Sequence, residues 1–376
     1  MKRWFKQLHL ALALLAGVFL ISISVSGALL VFGKDIQQLL QPTYWEINPP
    51  SQAPNITQVL NIVNSQLNHE NLHIHQLSIS NRPNWPWVLT LSNREQWNIN
   101  PATGEVLYRY QQGSDFYHWI MRWHRWLLIE DQTLKPWLRH AMSTVSLILI
   151  IEIIVGLIMW LTPLRGMLKR LKLKPGRTWR ARLHQYHLLA GIVFSLPLIA
   201  IAFTGMSFNW PTQKIFELAT FSNMQARENN LAGSPGDLAK LAIAVDTAQQ
   251  ALPEAKIQRI YFPQKNEAPL LIRMQAPNEK APFSYLWIDA GTGQLLTLYN
   301  SARAPSANQW WDFKYAFHTG IWFGKISQWL WLLMALLPAL FTGSGLYLYY
   351  ARWAQRQEKA LSAKVNYNCS SNSRGS

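Results

Sequence analysis

The chain has 376 residues, of which 49% are hydrophobic and only 14% charged, with a formal net charge of +16. Ordinary soluble domains carry about 25% charge, and the nineteen tryptophans here are amphipathic rings of the kind that gather at membrane interfaces; both argue against a soluble cytosolic enzyme. A lone cysteine, Cys369, excludes a disulfide framework, cysteine-ligated zinc and iron–sulfur clusters.

Four apolar stretches, residues 8–32, 140–161, 184–208 and 326–350, reach the roughly 20 residues needed to cross a bilayer. The first is read as a retained helix, because its apolar run exceeds a signal-peptide core and no A-x-A site follows. Between the spans lie two long polar segments, 33–139 and 209–325, and a short connector, 162–183. The connector holds eight bases, Arg165 to Arg182, and no acid. With the N-terminal residues and the tail 351–376 it makes sixteen bases against one acid, whereas 33–139 has eight of each and 209–325 has eleven bases and nine acids. The positive-inside rule therefore predicts cytoplasmic termini, a cytoplasmic connector and two exported segments, which would be periplasmic in a bacterial inner membrane. Lipid headgroups, and not nucleic acid, account for the basic charge.

Each periplasmic segment closes on a similar phrase, residues 98–107 (NINPATGEVL) and 287–296 (WIDAGTGQLL). Both read as strand, tight turn with a glycine, strand. A helical pattern precedes each, at 56–67 and 238–252, followed by alternating strands such as 87–91 and 269–273. This predicts two small α+β modules. The spans repeat too: His9 precedes Gly27 by the interval at which His187 precedes Gly205, and each module ends in an aromatic stretch closing on a histidine, His124 and His318. The expected fold is an internally duplicated, membrane α-helical four-helix bundle carrying two periplasmic modules.

Six of ten histidines sit at span edges: His9, His184 and His187 at the cytoplasmic side, His124, His318 and His140 at the other, while His69, His73 and His75 lie in a polar part of the first module. A single interfacial histidine is commonly a headgroup anchor. Four in repeat-matched positions, two per face, instead suit axial ligation of b-type haem by neutral imidazole. The expected ligands are His9 and His187 for one haem and His124 and His318 for a second, with His184 and His140 as alternatives. Gly17, Gly27, Gly191, Gly205, Gly343 and Gly345 offer room for a flat macrocycle, or serve close helix packing. Glu152, the one acid inside a span, is either a proton carrier or a hydrogen-bonded structural acid.

These residues resemble the PepSY-associated transmembrane proteins, which include inner-membrane ferric-siderophore reductases. The resemblance rests on Thr103-Gly104-Glu105 and Thr292-Gly293-Gln294, on His187 with Thr204-Gly205, and on His318-Thr319-Gly320, in order around four spans. It implies two b-type haems and reduction of a periplasmic Fe(III)–siderophore, which releases poorly bound Fe(II). By motif position it assigns ligation to His9, His124, His187 and His318. The first half departs from the pattern: Ser26 stands where threonine is usual, and Arg125-Trp126 follow His124.

No G-x-G-x-x-G follows a strand, so electrons are expected from a quinol, a reduced flavin or a protein donor. Acceptor contacts are expected at Trp123 and Trp311, with Arg122 and Arg125 meeting an anionic ligand; an interfacial aromatic belt is the bland alternative. Two other functions compete: a membrane-anchored PepSY binding or regulatory protein without redox activity, and a transporter, which so few intramembrane polar groups disfavour.

Overall fold

A computed structural model describes residues 2–372 apart from 51, 68–69, 71, 174–177, 228–230, 235–239 and 266. His69, Lys174, Arg177 and the first residues of the helical pattern at 238–252 lie outside the described residues. In chain order the elements are α1 (Lys2–Val31), α2 (Gly33–Leu40), α3 (Pro42–Trp45), α4 (Ile56–Leu67), β1 (Ile74–Ser78), β2 (Trp87–Leu91), β3 (Glu95–Ile99), β4 (Val106–Gln111), α5 (Phe116–Trp126) and α6 (Lys135–Leu161). They continue with α7 (Trp179–Val193), α8 (Ser195–Met206), α9 (Gln213–Thr220), α10 (Leu241–Ala251), β5 (Lys256–Tyr261), β6 (Leu270–Gln275), β7 (Ser284–Ile288), β8 (Leu295–Tyr299), α11 (Ser306–Thr319) and α12 (Gly324–Asn372). The chain divides into a helical unit, Met1–Ala28, Trp123–Trp210 and Trp329–Ser376, and a sheet-bearing unit, Leu29–Arg122 and Pro211–Gln328.

In the helical unit α1, α6 and α12 are long and apolar enough to cross a membrane. The expected third span, 184–208, is not one helix: α7 and α8 meet at 65°. Pro197 stands in the first turn of α8. Its ring removes an N–H and clashes with the carbonyl four residues back, so the helix breaks just ahead of it, at Phe194. Among the described residues three helices are thus long and apolar enough to cross a membrane, or four spans result if the bent pair is one. Helix α12 runs on through most of the tail expected beyond 350, to Asn372.

Close packing joins these helices. Leu198 on α8 meets Met334 and Leu337 on α12, and Ala16 and Leu20 on α1 meet Val145 on α6. A Cβ on Gly17 would come within 2.9 Å of Thr342, so glycine is required at that crossing. Pro338 interrupts α12. Beside it the Ser24 hydroxyl donates to the Ala335 carbonyl and accepts from the Ala339 N–H at 3.1 Å. A side chain of α1 thereby satisfies backbone groups of α12 that a proline kink opens, as a bilayer interior demands.

In the other unit the two expected modules are not separate bodies. Their strands form one antiparallel sheet of eight, in the order β4-β3-β2-β1-β5-β6-β7-β8. The join is short: Gln76, Leu77 and Ser78 of β1 pair with Tyr261, Ile260 and Arg259 of β5. Helices α4 and α10 bury Val59, Leu60, Val63, Leu241, Ala244 and Ala248 against one face of it, over Leu89, Trp97, Ile260, Ile272 and Leu286. The alternation of apolar residues along each strand puts this core on a single face.

The two repeated phrases fold alike. Gly104 N–H donates to the Asn100 carbonyl and Gly293 N–H to the Asp289 carbonyl, both at 2.8 Å. The glycines have φ of +74° and +75°. Asn100 Oδ1 accepts from the Ala102 N–H and Asp289 from the Gly291 N–H, but the Asp289 carboxylate also accepts from the N–H groups of Thr292 and Ser234. Burial works to raise the Asp289 carboxyl, but the Thr292 and Ser234 donors outweigh it and hold it down at about 2. A depressed acid stabilises the fold above its unfolded value near 3.9, and that stabilisation fades as pH falls toward 2. Asp289→Asn is therefore expected to lower the thermal midpoint at pH 7 but hardly change it near pH 2. Equal losses at both pH values would show that the carboxylate charge contributes nothing.

Candidate functional site

In the helical unit, histidines face glycines in two matched places. His9 on α1 lies beside Gly156 on α6, and His187 on α7 beside Gly345 on α12. In each pair the Cε1 of the ring is 3.8 Å from where a glycine Cβ would stand. His187 Nδ1 is 2.8 Å from Ser344 Oγ, and its ring meets Phe341 edge-on. His9 and His184 both lie within electrostatic range of His187, with His184 exposed and the other two half-buried. Buried His9 Nδ1 has no hydrogen-bond partner among the described residues. A Cβ on Gly191, one turn beyond His187, would meet nothing within 4 Å, so space opens beside that ring. Glu152, 8% exposed, stands one turn before Gly156 on α6.

His124 belongs to the same unit, on the last turn of α5. Its Nδ1 is 3.1 Å from both Ser26 Oγ and the Ile23 carbonyl. A Cβ on Gly27 would reach 3.1 Å from its Cε1, so glycine at 27 lets the ring lie on α1. Ser26, where threonine was expected, is fully buried and contacts the ring directly. Trp123, the neighbouring expected acceptor contact, donates from Nε1 to Ser22 Oγ at 2.8 Å. His140 lies inside α6 and accepts from Trp210 Nε1 at 3.1 Å. Arg125 is exposed and stacks on Trp126.

His318 lies in the sheet-bearing unit, half-buried on the last turn of α11, as does half-buried Arg122 on α5. Trp311 on α11 meets Phe216 edge-on at 5.5 Å and carries the Lys314 ammonium 2.9 Å from its ring centre. Lys314 is 6% exposed. Burial brings it down to about 7, against the pull of Asp312 and with the help of Arg227. Asp312 is ion-paired with Arg227 and accepts from Tyr299 and Ser301 hydroxyls. Sequence reasoning missed this buried network. Its one visible signal is two charged residues inside an aromatic run.

These features fit an axial imidazole, which needs one ring nitrogen engaged and the other free to reach iron. The Ile23 carbonyl can accept from His124 Nδ1, and Ser344 engages His187 Nδ1 in the same way. The unpartnered nitrogen of His9 and the glycines beside three of the rings suit a flat group inserted between helices. No group of three or more His, Cys, Asp or Glu among the described residues is placed to hold a bare metal ion; haem ligation requires only pairs.

A comparison with curated proteins gave no match. The family described as the PepSY-associated TM region matches residues 6–352, from the first turns of α1 into α12 and across every strand described above. The chain is a transmembrane protein and belongs to the PepSY-associated TM region family.

Proposed function

We propose that the chain is a di-haem b reductase of a bacterial inner membrane, passing electrons outward to a periplasmic Fe(III)–siderophore and releasing Fe(II). The observation that carries this reading is the matched placement of His9 against Gly156 and His187 against Gly345. On this reading α7 and α8 form one broken span, the chain is a duplicated unit, and the sheet-bearing unit is periplasmic. The palindromic strand order and the twin turns support the duplication, and the charge asymmetry supports the orientation.

His9 and His187 are the ligands at the cytoplasmic side, with His184 in reserve; His124 and His318 serve the periplasmic side, with His140 in reserve. Bound haem supplies one-electron exchange at iron. Ser344 and the Ile23 carbonyl fix ring orientation and tautomer, and second-shell partners of this kind commonly change affinity by about 10–100-fold when removed. Each Fe(III) takes one electron. A quinol or reduced flavin therefore serves two chelates, a quinol shedding two protons as it is oxidised, and Glu152 is the proposed proton carrier within the helices. A one-electron protein donor serves one chelate. Trp123, Trp311, Arg122 and Arg125 remain the proposed acceptor contacts.

The test is a dithionite-reduced minus air-oxidised visible spectrum of the detergent-purified chain, with a haem-to-protein ratio. A b-type spectrum near two haems per chain is expected. A colourless protein, made with adequate haem supply, would overturn the reading in favour of a membrane-anchored PepSY binding or regulatory protein.

A further inference from the structure

The segments that build the sheet-bearing unit are nearly neutral overall, yet cations gather at one place in it. Asp35 on α2 is bound by Arg82 through both carboxylate oxygens, at 3.3 Å each, and by Lys325 at 3.0 Å. Lys34, beside it, lies within electrostatic range of both Arg82 and Arg259. Arg259 is the β5 residue that pairs with Ser78 at the join between the two halves of the sheet. Four cations thus share one carboxylate that two of them already occupy. The next acid, Asp115, is taken up by the N–H of His118 at 3.1 Å and its Nδ1 at 2.5 Å.

This excess reaches the surface. Lys34 and Arg259 are exposed, Arg82 and Asp35 half so, and the Lys325 side chain is 62% exposed, while crowding desolvates the Lys34 ammonium and, with the charges of Arg259 and Arg82, brings it down to about 8. Flat aromatic groups border it. The Lys34 ammonium lies 5.6 Å from the Tyr117 ring centre, and Arg82 stacks on Trp85 at 5.2 Å. Tyr117 on α5 also lies within electrostatic range of Arg259 and of Tyr315 on α11. In sequence the two tyrosines stand seven and three residues before His124 and His318.

Unpaired cations beside aromatic faces select an anion that presents flat rings, through Coulomb attraction and guanidinium stacking together. We propose that this cluster at the sheet join binds the acceptor, and that the acceptor is a polyanionic ferric chelate of the tris-catecholate kind and not a hydroxamate. The proposal rests on the reductase reading for the identity of the ligand as a ferric chelate; the preference for a ring-bearing polyanion rests on the cluster itself.

The test uses the full chain in phosphatidylcholine nanodiscs and equilibrium dialysis against two probes, an iron(III) tris-catecholate, which is a trianion, and iron(III)–desferrioxamine B, which is not an anion. Selective binding of the trianion is expected. Lys34→Gln with Arg259→Gln should weaken it about tenfold, roughly 1.4 kcal/mol, without altering desferrioxamine B retention, while Lys34→Arg with Arg259→Lys should restore it. Equal binding of both probes, or an unchanged double variant, would overturn the proposal. So would loss of trianion binding in phosphatidylglycerol nanodiscs that the glutamine variant no longer shows, which would assign the cluster to lipid headgroups. The haem spectrum of the same samples separates the two readings. Haem without selectivity removes only the chelate site. Selectivity without haem removes the reductase and leaves a site for ring-bearing polyanions.

Discussion

Replacing His187 with alanine is expected to lower the haem content from near two per chain to near one. His187 is held from α12, by Ser344 at 2.8 Å and against the edge of Phe341, whereas His124 rests on α1 at Ser26 and Ile23. The two rings are held from different helices, so the second haem should survive and remain reducible by dithionite. A pyridine haemochrome assay gives the ratio. Loss of both haems, in a variant whose helical circular dichroism is unchanged, would rule out two independent sites. Ser344→Ala tests the orienting contact separately. It should keep both haems after mild purification but release one more readily to apomyoglobin, by about tenfold.

Gly293→Val should be the most damaging small substitution in the sheet-bearing unit, at about 3–5 kcal/mol. Two effects add. The residue sits at φ +75°, and its Cβ would stand 2.7 Å from Ile243 Cγ2 and 3.3 Å from the Ala244 nitrogen. Backbone of α10 cannot move aside without opening the core beneath it. Gly104→Val should behave alike, since φ is +74° and Ile62 Cγ2 would be 2.9 Å away. Gly113→Ala is the control, because φ is +84° but the nearest neighbour is the flexible end of Arg122 at 3.8 Å; it should cost only about 1 kcal/mol. Chemical denaturation followed by strand circular dichroism measures all three. Similar losses for Gly293→Val and Gly113→Ala would mean that contact with Ile243 is unimportant.

What the residues disclosed in advance followed physical range. Helix α4 was readable because its apolar spacing is local, and it begins and ends where the pattern does. The turns at Gly104 and Gly293 were readable because a tight turn is settled within five residues. The unbroken third span was wrong because hydropathy averages across Pro197, which acts through backbone geometry and not through polarity. The single sheet was hidden because alternation marks a strand without naming its neighbour, and β1 pairs with a strand far along the chain. The histidine–glycine register was visible as a repeat, but Ser344 and Ile23, which orient the rings, were not. The cation cluster escaped notice because its members come from α2, the β1–β2 loop, β5 and α12, and the charges cancel within each segment.

The join between β1 and β5 also bears on how the chain is made. β1 ends at Ser78 and β5 begins at Lys256, about 180 residues later. At roughly 5–20 residues per second a ribosome needs about 10–35 s to cover that interval. Throughout it the edge of β1 has no neighbour, and a bare edge is a template for another chain's strand. Nascent copies on one polysome carry the same edge at the same time. The shortness of the join, and the polar Gln76 and Ser78 within it, limit how firmly such copies can hold one another before β5 emerges.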